Sequence, residues 1–150
     1  MDRAIIITIL CIFLIACSPP APIEKPTPQV CFKDTCFFVE IADNKIERSI
    51  GLMNRPFLAE NSGMLFIFDK EKGVAMWMKK TLIPLDIIWI NKNRRANHVE
   101  SNAQPCVENE KCNHLIAPVK ALYVLEINAG KAKELGIVSG SSFVFKNIFN

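Results

Sequence analysis

The chain has 150 residues, of which 50% are hydrophobic and 22% are charged, and its formal net charge is +3. This length is typical of one domain with a short extension. Basic residues are scattered among acidic ones, and the only adjacent pairs are Lys79-Lys80 and Arg94-Arg95. Nucleic-acid binding requires a basic face or stripe, so we expect no nucleic-acid partner.

Residues 1–16 predict a signal peptide. A short charged start precedes an apolar run at 4–14, which is too short to cross a bilayer as a mature helix. The run ends in Leu-Ile-Ala-Cys, which resembles a bacterial lipobox. The resemblance implies cleavage before Cys17 and acylation of its thiol, with palmitate as the expected type of chain. The alternative is an ordinary secretory signal in which Cys17 is incidental.

Residues 17–29 predict a lipidated tether. Five of the eleven residues at 18–28 are proline, which fixes φ and removes N–H donors, so the segment should be extended over roughly 34 Å. Ser18 stands where an inner-membrane retention signal would carry aspartate. We therefore expect an exported, lipid-anchored protein, on the outer membrane facing the periplasm if the cell has two membranes. The folded domain should cover residues 30–150.

Four cysteines remain for the exported domain: Cys31, Cys36, Cys106 and Cys112. An even set in an exported domain predicts two disulfides, and four cysteines allow three connectivities. We prefer Cys31–Cys36 and Cys106–Cys112, because short loops close easily. The competing interpretation is a zinc site completed by a histidine, but neither pair has the two-residue spacing of a zinc knuckle.

Seven short strands and two small helices are predicted for the domain. Alternating or wholly apolar runs bounded by turn residues indicate strands at 37–42, 63–68, 74–79, 85–90, 96–100, 123–127 and 143–149. Asn44 with Glu47 forms a capping box that begins the first helix, and Gly136 ends the second, at 129–135. A charged turn is expected at 69–73, and a polar loop as far as Pro118. No strand–helix–strand alternation indicates parallel pairing, so we expect a mainly-β sandwich or partly closed barrel.

The stretch 74–90 contains both tryptophans and an aspartate in an otherwise apolar strand. A charge at Asp86 is costly unless it is paired and hydrogen-bonded, and Lys79 or Arg55 could pair with it. One interpretation is a structural carboxylate that anchors the loop holding Pro84. The other is a ligand-binding or acid/base carboxylate in a pocket with Lys79 and Arg55, beside Trp77.

Other chemistry is weakly supported by the sequence. Nucleophile-elbow, phosphate-loop and dinucleotide motifs are absent, and no second carboxylate stands at a glycosidase spacing. His98 and His114 lack metal-ligand spacing. Met76-x-Met78, with two further methionines, could bind Cu(I), although methionine commonly fills irregular β cores. We expect no resident metal or cofactor.

Four segments together resemble the bacterial and archaeal family called domain of unknown function 192. They are R-S-I-G-L-M-N-R-P at 48–56, G-M-L-F-I-F at 63–68, W-M-K-K-T-L-I-P-L-D at 77–86, and Y-V-L-E at 123–126 followed by Ala129-Gly130. The resemblance implies a mainly-β, jelly-roll-like single domain and no established activity. The chain departs from the family at Lys80, where asparagine is usual, and at Ser141, where aspartate usually follows the glycine.

These observations favour a non-catalytic binding module, anchored in the membrane, for an envelope glycan or a protein partner. A small enzyme with an Asp86/Lys79/Arg55 pocket is the alternative, and methionine-based copper binding is a further one. The candidate ligand-binding residues are Arg55, Met64, Trp77, Lys79, Thr81 and Asp86.

Overall fold

The computed structural model describes residues 26–106 and 112–149. The predicted signal peptide, Cys17 and most of the tether lie outside these residues, so those predictions stay predictions. Within the described ranges, no helix has both the length and the apolar character needed to cross a membrane.

In the part of the domain that the structure describes there are seven strands and two short helices. They are β1 (Gln29–Phe32), β2 (Thr35–Ala42), α1 (Lys45–Ile50), β3 (Ser62–Trp77), β4 (Leu85–Ile90), β5 (Ala96–Ala103), β6 (His114–Asn128), α2 (Lys131–Leu135) and β7 (Val144–Lys146). The strands form one sheet in the order β5-β4-β6-β3-β2-β1-β7, which does not close into a barrel. The predicted mainly-β fold with two short helices is confirmed, and it is consistent with a sandwich-like domain.

The two longest strands run through segments that we expected to be turn and loop. β3 continues through the charged residues 69–73, and its pairing with β6 shifts register between Ile67 and Lys72 and between Gly73 and Ala75. Such bulges bend a strand without ending it. β6 begins at His114, so residues 114–118, which we predicted as part of a polar loop, belong to a strand. Both predictions took polar residues as a sign of a turn or loop. These residues form strands in the structure because β3 and β6 hydrogen-bond to each other along this region.

One pair of strands in the sheet is parallel, contrary to our expectation. β2 lies beside β3 in parallel, from Phe38 opposite Ser62 to Ala42 opposite Phe66. The connection between them contains α1, and a parallel pair requires such a crossover. The six-residue helix was too short to be recognised in the sequence as a crossover helix.

Helix α1 lies on the surface and is held by its N-terminal cap. The Oδ1 atom of Asn44 accepts hydrogen bonds from the backbone N–H groups of Ile46 and Glu47, which confirms the predicted cap. The apolar side of the helix is not packed into the core: Ile46 is 71% exposed and Ile50 is 53% exposed. The helix therefore leaves an apolar edge at the surface, next to the end of β3.

Each face of the sheet carries its own core. Met64, Met76 and Met78 belong to one core, and we call their side of the sheet the methionine face. Side chains alternate between faces along a strand, so Ile87 of β4 points to the methionine face while Asp86 points to the opposite face. This alternation separates residues that are adjacent in sequence.

Both predicted disulfides are confirmed. Cys31–Cys36 joins residues that are paired across β1 and β2. Cys106–Cys112 brackets residues 107–111 and joins the segment after β5 to the start of β6. Because all four thiols are bonded, the zinc interpretation loses its thiolate ligands.

Candidate functional site

Asp86 is a structural carboxylate. It is fully buried, its Oδ1 accepts a hydrogen bond from the Asn102 N–H at 2.8 Å, and its Oδ2 accepts one from the Ala132 N–H at 2.7 Å. Ala132 lies in the first turn of α2, whose N-cap residue, Gly130, has no side chain to cap the helix. Asp86 thus supplies from β4 the acceptor that the helix lacks. The structural interpretation is the one that this geometry supports, but Asp86 anchors the start of α2 and Asn102 of β5 and not the loop that holds Pro84.

The cluster of Arg55, Lys79 and Asp86 that we predicted is wrong. Arg55 pairs instead with Glu40 of β2, with Nη2 2.6 Å from Oε2, and this hydrogen bond raises the pKa of Arg55. Lys79 places its Nζ 5.5 Å from the centre of the Trp77 ring. The three groups have three different partners, so the enzyme pocket built from them has no geometric basis.

The structure does bring three predicted residues together around one unpredicted carboxyl. Trp77, Lys79 and Thr81 line a cavity of about 20 Å³ with Glu126. This space holds about one water-sized group. We call it the Glu126 cavity. Its remaining lining residues are Arg48, Ile50, Gly51, Leu52, Met53, Phe66 and Met76.

Three adjacent strands position Glu126 on the methionine face. On β6 it pairs with Met64 of β3 on one side and with Ile87 of β4 on the other. Gly63 permits the close approach of β3, since a Cβ atom there would lie 2.6 Å from the backbone oxygen of Glu126. Across the cavity, Gly51 ends α1 with φ of 51°, and a Cβ atom there would lie 3.1 Å from the Phe66 ring.

Burial raises the pKa of Glu126 to about 8, and the carboxyl is therefore mostly protonated at neutral pH. The residue is 4% exposed, and desolvation by burial is the cause of the shift. A protonated carboxyl both donates and accepts hydrogen bonds. The cavity wall thus carries a group that can act as donor and as acceptor, and perturbed groups of this kind cluster at functional sites.

Sequence reasoning missed Glu126 although the signal was present. Glu126 lies between Leu125 and Ile127 in an apolar strand, as Asp86 lies between apolar neighbours in β4. The two carboxyls differ in their partners, and those partners are distant in sequence. The strand pattern alone therefore could not rank one above the other.

A second cavity lies beside the first. Its volume is about 160 Å³, and Arg48, Ala75, Met76, Trp77 and His114 line it. We call it the outer cavity. It shares Arg48, Met76 and Trp77 with the Glu126 cavity. The Trp77 indole stacks on the His114 ring at 5.6 Å with an interplanar angle of 19°, so His114 restrains the ring of a residue that lines both cavities.

The methionines divide between the core and the cavity. Met64, Met76 and Met78 are all buried in the methionine-face core. Met53 and Met76 line the Glu126 cavity, whereas the candidate residue Met64 does not. Two of the four thioethers thus meet at this cavity, and copper binding stays a prediction.

The two positions that depart from the family pattern differ in how well the present residue suits its surroundings. Lys80 adopts a positive φ of 55°, a conformation that asparagine tolerates better than lysine. Its carbonyl accepts a hydrogen bond from Asn54. Ser141 uses its Oγ to accept a hydrogen bond from the Val138 N–H at 3.0 Å, a role that an aspartate oxygen could also fill. Neither side chain contributes to the Glu126 cavity.

Fold and site together define a mainly-β domain with a small cavity that contains a buried carboxyl. The model of the DUF192 family, described as Uncharacterized ACR, matches residues 29–145, so the chain belongs to this family.

Two crystal structures resemble the chain. A protein from Sinorhizobium meliloti 1021, described provisionally as a transcription regulator, is 31% identical with a TM-score of 0.71; the match covers 81% of this chain and 93% of that one. A protein of unknown function from Novosphingobium aromaticivorans DSM 12444 is 33% identical with a TM-score of 0.70, over 85% of this chain and 94% of that one. No curated protein matches the chain.

Proposed function

We propose that this protein is a non-catalytic binding module of the cell envelope, and that the Glu126 cavity with the Trp77 indole is its glycan-binding site. The observation that carries the proposal is a small cavity lined by both Trp77 and Glu126, a buried carboxyl whose pKa is raised by burial. Burying a carboxyl is costly to folding, and such groups persist where function needs them.

A sugar matches both parts of this site. Its ring has an apolar C–H side that packs on an aromatic face, and its hydroxyls both donate and accept hydrogen bonds. The protonated Glu126 carboxyl has the same dual capacity, and about 20 Å³ admits a group the size of one hydroxyl. Thr81, which is 6% exposed, adds a second hydroxyl to the cavity wall.

Binding is favoured over catalysis by the composition of the cavity. Enzymes that cleave glycosidic bonds use two carboxyl groups that flank the bond. Among the described residues that line the cavity, Glu126 is the only carboxyl group, and the charged groups near it are Arg48 and Lys79. A single carboxyl beside cations is suited to hold a polar ligand.

The proposed location rests on the N-terminal sequence. A lipid on Cys17 and a proline-rich tether would hold the domain at the membrane, its immediate partner, within reach of envelope glycans. Two disulfides are typical of a protein that folds in an oxidising compartment, which supports export.

A glycan array of envelope polysaccharide fragments tests this function with the full chain in detergent. Wild-type protein should bind a subset of glycans, and Trp77→Ala should weaken that binding at least tenfold because the stacking surface is lost. Phe57→Ala is the matched control: it removes an aromatic ring that is 73% exposed and does not line the cavity. Absence of glycan binding by the wild type, or equal binding by wild type and folded Trp77→Ala, would contradict the proposal.

A further inference from the structure

Arg48 is held in place by main-chain oxygens. Its Nη1 donates hydrogen bonds to the carbonyl of Ile67 at 2.8 Å and to the carbonyl of Asp43. The guanidinium carbon also lies 5.2 Å from the centre of the Phe68 ring. Both carbonyls and the ring fix the guanidinium before any ligand arrives, which lowers the entropy cost of binding to it.

The hydrogen bonds of Arg48 do not use all of its N–H donors. A guanidinium has five N–H groups, and the hydrogen bonds to Asp43 and Ile67 use only those on Nη1. The outer cavity, which Arg48 lines, has no carboxylate among its described lining residues. Arg48 is the permanently charged residue in the described lining of the outer cavity, and the Nζ atom of Lys79 lies 5.5 Å from the centre of the nearby Trp77 ring. Planar guanidinium donors of this kind match a carboxylate.

We propose that the outer cavity is an anion subsite and that the preferred ligand is an acidic sugar of the uronic acid class. The sugar ring lies against Trp77, its carboxylate pairs with Arg48 in the outer cavity, and one hydroxyl enters the Glu126 cavity. The outer cavity has about eight times the volume of the Glu126 cavity, at about 160 against 20 Å³, and so admits the larger group. This inference rests on the proposed glycan-binding function and adds the ligand class to it.

Two probes isolate the carboxylate. Methyl β-D-glucuronide and methyl β-D-glucoside differ only at C6, which is a carboxylate in the first and a hydroxymethyl group in the second. Titration of the full chain in detergent, followed by NMR at low ionic strength, should give at least tenfold tighter binding of the glucuronide. That preference should shrink as salt is added, because part of it is an exposed charge interaction.

Substitutions at Arg48 then test the assignment. Arg48→Gln should bring the two affinities to within about twofold of each other, and Arg48→Lys should keep part of the preference because charge remains without the planar donors. Arg95→Gln is the control, since Arg95 bonds the carbonyl of Gly140 and does not line either cavity; it should keep the wild-type ratio.

The possible outcomes distinguish failure of the acidic-sugar inference from failure of the proposed glycan-binding function. Equal wild-type affinities for the two probes, or an unchanged ratio in folded Arg48→Gln, overturn the acidic-sugar inference and leave glycan binding intact. If Arg48→Gln does not fold, the salt titration of the wild type tests the inference instead. A preference for the glucuronide that does not change with salt overturns it. A wild type that binds neither probe and no glycan on the array overturns both proposals.

Discussion

Replacing Glu126 with glutamine should change how the stability of the protein depends on pH. Burial raises the pKa of Glu126 from 4.5 to about 8, so between these values the native chain holds a proton that the unfolded chain has released. The stabilisation is complete below pH 4.5 and is lost as pH rises through 8. In this window the free energy of unfolding falls by about 1.4 kcal/mol per pH unit, or about 3 kcal/mol from pH 5 to pH 7.

Urea denaturation at pH 5, 6 and 7 measures this slope. Glutamine keeps the shape of the side chain and does not titrate, so the difference between wild type and Glu126→Gln isolates this one group from the histidines. Glu71→Gln removes a partly exposed carboxylate from β3 and should retain the wild-type slope. Parallel pH profiles for wild type and Glu126→Gln would refute the claim that the native carboxyl is protonated at neutral pH.

Three further predictions concern other parts of the chain. Asp86→Asn should lower the free energy of unfolding by about 2–3 kcal/mol in urea denaturation, because the new amide N–H₂ faces a backbone donor; an unchanged value would contradict the cap. Lys80→Asn should raise the free energy of unfolding by about 0.5–1 kcal/mol in urea denaturation, because asparagine tolerates a positive φ better than lysine does. Lys80→Ala should give no such increase. Cys17→Ala should move the protein from the membrane pellet to the soluble fraction, and retention in the pellet without loss of fatty-acid label would refute lipidation.

Local sequence signals predicted the parts of the fold that depend on local chemistry. The Asn44 cap is formed by residues two and three positions apart, and both disulfides close short loops. The bend in β3 and the parallel pairing of β2 with β3 depend instead on strands that are distant in sequence. No window of neighbouring residues contains that information.

The candidate site divides in the same way. Trp77, Lys79 and Thr81 were found because they lie in one dense segment of sequence, and the structure places all three on one cavity. Asp86 and Glu126 look alike in sequence, but the former meets two backbone donors on one face of the sheet and the latter meets a cavity on the other. The hydrogen-bond donors near each carboxyl decide its role. Those donors come from residues distant in sequence, and only the folded sheet brings them there.

The most direct test of the central claim uses the two tryptophans as probe and internal control. Trp77 lines both cavities, whereas Trp89 is buried and its Nε1 donates to the carbonyl of Val74 at 2.9 Å. In a ¹H–¹⁵N spectrum of the full chain, adding whichever methyl glycoside binds more tightly should shift the Trp77 indole signal and leave that of Trp89 in place. A bound sugar that leaves the Trp77 signal unmoved would contradict the assignment of this cavity as the ligand site.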